Sequence, residues 1–129
     1  MAYRTELTAF AVRQGKEARA EEWMNTLVAR QGECVQTLDR EGMHFEAIFR
    51  STHDGRMYLS WLSVQSEGAP HVSTSTLPID VLHMEFWREC IDRDVPPIDF
   101  AHVVSFVPAT VAEAIGARDT AFRPEKAKE

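Results

Sequence analysis

Residues 43–65, MHFEAIFRSTHDGRMYLSWLSVQ, decide the fold. Two runs rich in aromatic and β-branched residues flank Asp54-Gly55, the pair that best fits a two-residue hairpin turn, because both central positions need positive φ. With His53 and Arg56 at the turn, Phe49 faces Ser60, Ala47 faces Leu62 and Phe45 faces Val64 on one side of the sheet. On the other side Ile48 meets Trp61, Glu46 meets Ser63 and His44 meets Gln65. The first side is mainly apolar; the second mixes carboxylate, imidazole, amide and indole.

Upstream of the hairpin, RTELTAFAV (4–12) reads as a strand and RQG as the loop leading out of it. Apolar residues at three-and-four spacing, among them Ala20, Trp23, Met24, Leu27, Cys34, Val35 and Leu38, predict one long helix from about Lys16 to Arg40, with a bend near Gly32. Downstream, SEGAPHVSTST (66–76) is a polar loop with hydroxyls able to cap a helix beginning after it. Pro78 and Asp80 suit the first turn of that second helix, which reaches about Asp92, and Pro96-Pro97 stop it. IDFAHVVSFV (98–107) is the last expected strand, succeeded after Pro108 by a short helical pattern.

Strand, helix, strand, strand, helix, strand is the order of a ferredoxin-like α+β fold, βαββαβ, with two helices on one face of a four-stranded antiparallel sheet. Residues 1–116 are expected to form that single domain, and 117–129 a charged, flexible tail. The second face of such a sheet is bare. The side carrying Trp61 and Ile48 is expected to be that face, which makes a homodimer with sheets packed face to face the economical solution. Tyr58 and Ser60 would then lie beneath the helices.

A net charge of −6 would repel a phosphate backbone, so neither nucleic acid nor an anionic membrane is an expected partner. The opening MAYRTELTAFAV alternates polar and apolar residues, unlike a signal peptide or a span, and a cytoplasmic location is expected. Cys34 and Cys90 have no metal-type spacing and are expected to be reduced.

The pieces QGKEARAEEWM, FEAIFR, YLSWLSVQSEG, IDVLHMEFWRECID and PPID resemble, in order, a bacterial family of conserved hypothetical proteins within the dimeric α+β barrel superfamily. That superfamily includes antibiotic-biosynthesis-type monooxygenases, haem-degrading proteins and sugar mutarotases. The likeness spans about Arg4 to Val107. It implies a homodimeric barrel, with a pocket between sheet and helices or within the barrel, and a wall supplied by the helix containing His83. The Asn, Trp and His set of the haem-degrading members and the Tyr and His set of the mutarotases are not recognisable, so no reaction carries over.

His83, Trp87 and Cys90 share one face of the second helix, with Asp80 one turn earlier. One reading makes His83 a general acid/base or an axial ligand oriented by Asp80, with Trp87 as an apolar wall. The other makes the group a buried stripe, and for Trp87 and Cys90 that is favoured. Glu46, mid-strand beside His44, Ser63 and Trp61, either works in a pocket or pairs with Arg4, Arg50 or a partner subunit's arginine. Tyr58 could place a hydroxyl near His83. There is no phosphate-binding glycine loop, nucleophile elbow or metal motif, and no metal or cofactor is assigned. The leading expectation is a small-molecule-binding homodimer whose pocket is lined by His83, Trp87, Tyr58, Trp61 and Glu46, with His83 and Glu46 as the catalytic candidates. The alternatives are a cofactor-independent monooxygenase or isomerase, and a structural dimer with no pocket.

Overall fold

The computed structural model describes residues 3–67 and 77–121. Most of the loop 66–76, with His71, and the chain after residue 121 lie outside the described residues. The elements run β1 (Tyr3–Ala11), α1 (Glu17–Ala29), α2 (Gln31–Glu41), β2 (Met43–His53), β3 (Arg56–Ser66), α3 (Pro78–Cys90), β4 (Ile98–Phe100) and α4 (Ala109–Ala121). This is an α+β fold with one four-stranded sheet in the order β2-β3-β1-β4, every neighbouring pair antiparallel.

The hairpin forms as its turn chemistry dictates. Asp54 and Gly55 both have positive φ, 51° and 75°, and His53 pairs with Arg56. The register Phe45–Val64, Glu46–Ser63, Ala47–Leu62, Ile48–Trp61 and Phe49–Ser60 is the expected one. It differs at the far end, where a bulge between Met43 and Phe45 sets Met43, in place of His44, opposite Gln65.

The single helix expected over 16–40 is two helices. Arg30 leaves the helical region (φ −109°, ψ 29°), and its guanidinium folds forward onto Glu33 at 2.6 and 2.7 Å, anchoring the first turn of α2. The last strand is also shorter than expected. Only Ile98–Phe100 pairs, with Leu7–Ala9 of β1; alternation is lost at Val103-Val104, and Val103 and Phe106 stand 89% and 91% exposed. Helix α4 runs past the boundary expected at residue 116. Arg118 donates to Asp39 (2.6 Å), the Met43 carbonyl (2.6 Å) and His44 Nδ1 (3.0 Å).

The larger correction concerns which face the helices cover. Trp23 of α1 and Phe86 of α3 are buried against Leu59, with Trp61, Phe10 and Trp87 packed around them, so the mixed face lies beneath the helices. Alternation along β3 then puts Tyr58, Ser60, Leu62 and Val64 on the open face, beside Phe45, Phe49, Ile98 and Phe100. These last four are between 46% and 55% exposed. The physical reason is volume: the indoles and Phe10 fill the space under two helices better than the small and aliphatic residues of the other side.

The C-terminal end of α3 is tied down. Glu89 accepts from Lys16 (3.3 Å) and Arg19 (3.1 Å) across the α1–α3 seam, and Arg19 lies 4.3 Å over the Phe86 ring. The Arg13 amide donates to the Cys90 carbonyl, and Arg56 pairs with Asp92 at 3.0 Å. Both cysteines are free thiols, Cys90 fully buried.

Candidate functional site

Because α2 turns away at Arg30 while α1 and α3 stay packed, the sheet beneath β2 and β3 is roofed without being filled. A cavity of about 1080 Å³ results, bounded by α1, α2, α3 and the covered face of the sheet. His83, Trp87, Trp61 and Glu46 line it; Tyr58 does not, being on the opposite face. Glu41, Asp80 and Cys34 join the lining.

His83 is held by a group other than the expected one. The indole N–H of Trp23 donates to His83 Nδ1 at 3.0 Å, and no hydrogen bond links Asp80 to the imidazole among the described residues. An indole nitrogen can only donate, so Nδ1 must be an acceptor and the ring proton sits on Nε2. Burial pushes the His83 pKa down to about 4, against the opposing charge of Asp80, so the ring is neutral near pH 7. In this tautomer His83 offers the cavity an N–H donor. Around it the rings form one cluster: Trp61 and Trp87 centroids are 5.2 Å apart, Trp23 and Trp61 5.6 Å, and His83 and Trp61 6.1 Å.

The carboxylates come from three elements. Glu46 of β2 is accessible to a solvent molecule yet surrounded mostly by protein, because its exposed surface faces the cavity; burial, then the charge of Asp80, raises its pKa. Burial also carries Glu41 of α2 up to about 7, reinforced by Asp80 and opposed by a hydrogen bond from Thr37. Glu46 does not pair with Arg4 or Arg50. Arg4 meets Glu6 at 3.0 Å, and Arg50 is engaged by Glu21.

Two titrations of opposite sign result. The folded pKa of His83 lies below its ordinary 6.5, so its contribution to stability is present above 6.5 and is lost as pH falls toward 4, amounting to at most about 3 kcal/mol. The folded pKa of Glu41 lies above its ordinary 4.5, so its contribution is present below 4.5 and is lost as pH rises through 7. Urea unfolding between pH 4 and 8 is expected to show the wild type losing stability relative to His83→Gln as pH drops, and relative to Glu41→Gln as pH rises. Parallel curves for wild type and His83→Gln would contradict the buried neutral imidazole.

A second polar cluster lies at the end of the sheet, where His44 Nε2 is 2.8 Å from Asp119 Oδ1 and 3.0 Å from Ser66 Oγ. It has the residue types of a nucleophilic triad but not the wiring. Serine and aspartate share one ring nitrogen, the Ser66 hydroxyl donates to Asp119, and Arg118 occupies the other nitrogen, so His44 cannot relay a proton between them. The cluster fastens α4.

Sequence reading missed Glu41 in the cavity wall and Trp23, which is buried behind it and holds His83. Trp23 had its place on the α1 stripe, and the usable signal was that a buried indole N–H needs an acceptor. Glu41 left no local signal. Among the described residues, no three His, Cys, Asp or Glu side chains are arranged to hold a metal ion, and no helix is long and apolar enough to cross a membrane.

Residues 3–113 match the model of a family described as a family of unknown function, DUF6176. No curated protein and no solved structure matches the chain.

Proposed function

The chain belongs to DUF6176, and on that premise we propose, from its own cavity, that it binds a small organic molecule between the sheet and helices α1 to α3, and does so as a homodimer. The observation that carries the reading is the cavity itself. A space of about 1080 Å³, walled by Trp61 and Trp87 and bearing a few polar groups, among them His83 and Glu46, has the size and the mix of surfaces of a ligand site. His83 acts there as a hydrogen-bond donor to the ligand, its Nδ1 committed to Trp23.

The homodimer reading rests on the open sheet face. Leu7, Phe45, Phe49, Leu62, Val64, Ile98 and Phe100 leave more apolar surface uncovered than a solvated sheet carries. The strand order β2-β3-β1-β4, with α1 and α3 on one face, is the order a ferredoxin-like split βαβ would give, and it supports kinship with the dimeric α+β barrels. A cytoplasmic setting agrees with the two free thiols.

Intrinsic fluorescence tests the binding reading, since all three tryptophans of the chain stand in the ring cluster at the cavity. A chemically diverse set of small molecules is expected to include compounds that shift the emission saturably and lose that effect in Trp61→Phe. If none of the set shifts the emission or raises the melting temperature, the binding reading falls. An enzymatic reading draws on Glu41, whose pKa of about 7 suits proton transfer near neutrality. It predicts turnover of a bound compound that is lost in Glu41→Gln.

A further inference from the structure

The charges lining the cavity do not balance. Its two guanidiniums, Arg4 and Arg50, are each engaged by a carboxylate, Glu6 and Glu21. Glu41, Glu46 and Asp80 remain, from α2, β2 and α3, and among the described residues no cation pairs with any of them. Neither other titratable wall group supplies positive charge: His83 is neutral, and burial keeps the Cys34 thiol protonated. Asp80 is the sharpest case. It is only 6% exposed, it lines the cavity, and no described residue hydrogen-bonds to its carboxylate. A carboxylate this far removed from water is costly to keep charged, and a ligand cation at the cavity wall would offset that cost. Beside these acids in the lining stand Trp61 and Trp87, aromatic side chains of the kind that attracts cations as well as apolar groups.

We propose that the cavity takes a protonated organic amine on an apolar or aromatic body, its ammonium held by Glu41, Glu46 and Asp80 and its body laid against Trp61 and Trp87. The proposal rests on the binding reading above and adds the chemical class. Phosphates and carboxylate ligands are excluded by repulsion from the same three groups.

Calorimetry on the full chain with three matched probes tests it: 1-naphthylmethylamine, its neutral counterpart 1-naphthalenemethanol, and 1-naphthoate. At a pH of about 8 the amine is expected to bind roughly tenfold tighter than the alcohol, with naphthoate giving no binding. The preference shrinks at a pH of about 5.5, where Glu41, with its pKa about 7, takes up a proton. Glu46→Gln and Asp80→Asn, each checked for an unchanged circular dichroism spectrum, are expected to cut the amine's advantage over the alcohol at least roughly threefold. Glu113→Gln, on α4 and away from the cavity, keeps it. Equal binding of amine and alcohol, or a preference that survives in the double variant Glu46→Gln/Asp80→Asn, overturns the amine class and leaves the cavity as a small-molecule site. If none of the three probes binds, the amine class is overturned; the fluorescence screen decides separately whether the cavity binds anything.

Discussion

Truncating Trp23 to alanine is expected to cost about 3–5 kcal/mol of stability, the range for a large aromatic removed from a packed core. Its side chain is 0% exposed and stacks parallel to Phe86 at 6.2 Å, with Trp61 at 5.6 Å and Trp87 at 6.0 Å. A domain of this size has about 5–15 kcal/mol in total, so the variant retains a small margin at best. Trp23→Phe separates the two jobs of the residue. It keeps most of the packing but removes the N–H that holds His83 Nδ1, and should cost about 1–3 kcal/mol for the unsatisfied acceptor and partial void. Urea unfolding followed by far-ultraviolet circular dichroism measures both. A loss below about 1 kcal/mol in Trp23→Ala would mean that the core is not centred on this residue.

Placing a carboxylate at residue 62 should have the other large effect. Leu62 lies on the open face between Ala47 and Leu7, its cross-strand partners on either side. In a two-fold dimer built on this face, Leu62→Glu brings two charges into the interface, one from each copy. An unpaired buried charge costs about 3–5 kcal/mol, so dissociation should strengthen by at least about a hundredfold. Size exclusion with light scattering is expected to give twice the 14.7 kDa chain mass for the wild type and the chain mass for Leu62→Glu, with its circular dichroism unchanged. A wild type that runs as a monomer at micromolar concentration removes the homodimer.

The hairpin was legible because everything that specifies it is local: the Asp54-Gly55 turn, the period of two, and the pairing that both imply. Its bulge at His44 was not, since the cause lies in α4, far along the chain, where Arg118 and Asp119 hold the imidazole. Which side of the sheet is covered was also beyond local reading. Alternation divides Tyr58 from Trp61 but treats both sides alike, and only the packing of Trp23 and Phe86 breaks the tie. The same holds within the site. The stripe on α3 pointed to His83, but its partner, Trp23, is 60 positions away, and nothing in their spacing names the nitrogen that they share. Glu46 drew notice as a carboxylate inside a strand, whereas Glu41, at the end of a helix, looked like any solvated acid until the cavity placed it.

The position of β1 in the sheet bears on synthesis. It leaves a ribosome before the other three strands of its sheet, yet it is an inner strand, and both of its neighbours come much later: Arg4 meets Gln65 after 61 residues and Thr8 meets Asp99 after 91. Its backbone donors and acceptors therefore stay unpaired until β3 and then β4 have been made, while β2 and β3 can close on each other as soon as they emerge. The polar residues that alternate along it, Arg4, Glu6 and Thr8, keep the nascent segment in water during that wait, before they come to stand beneath the helices.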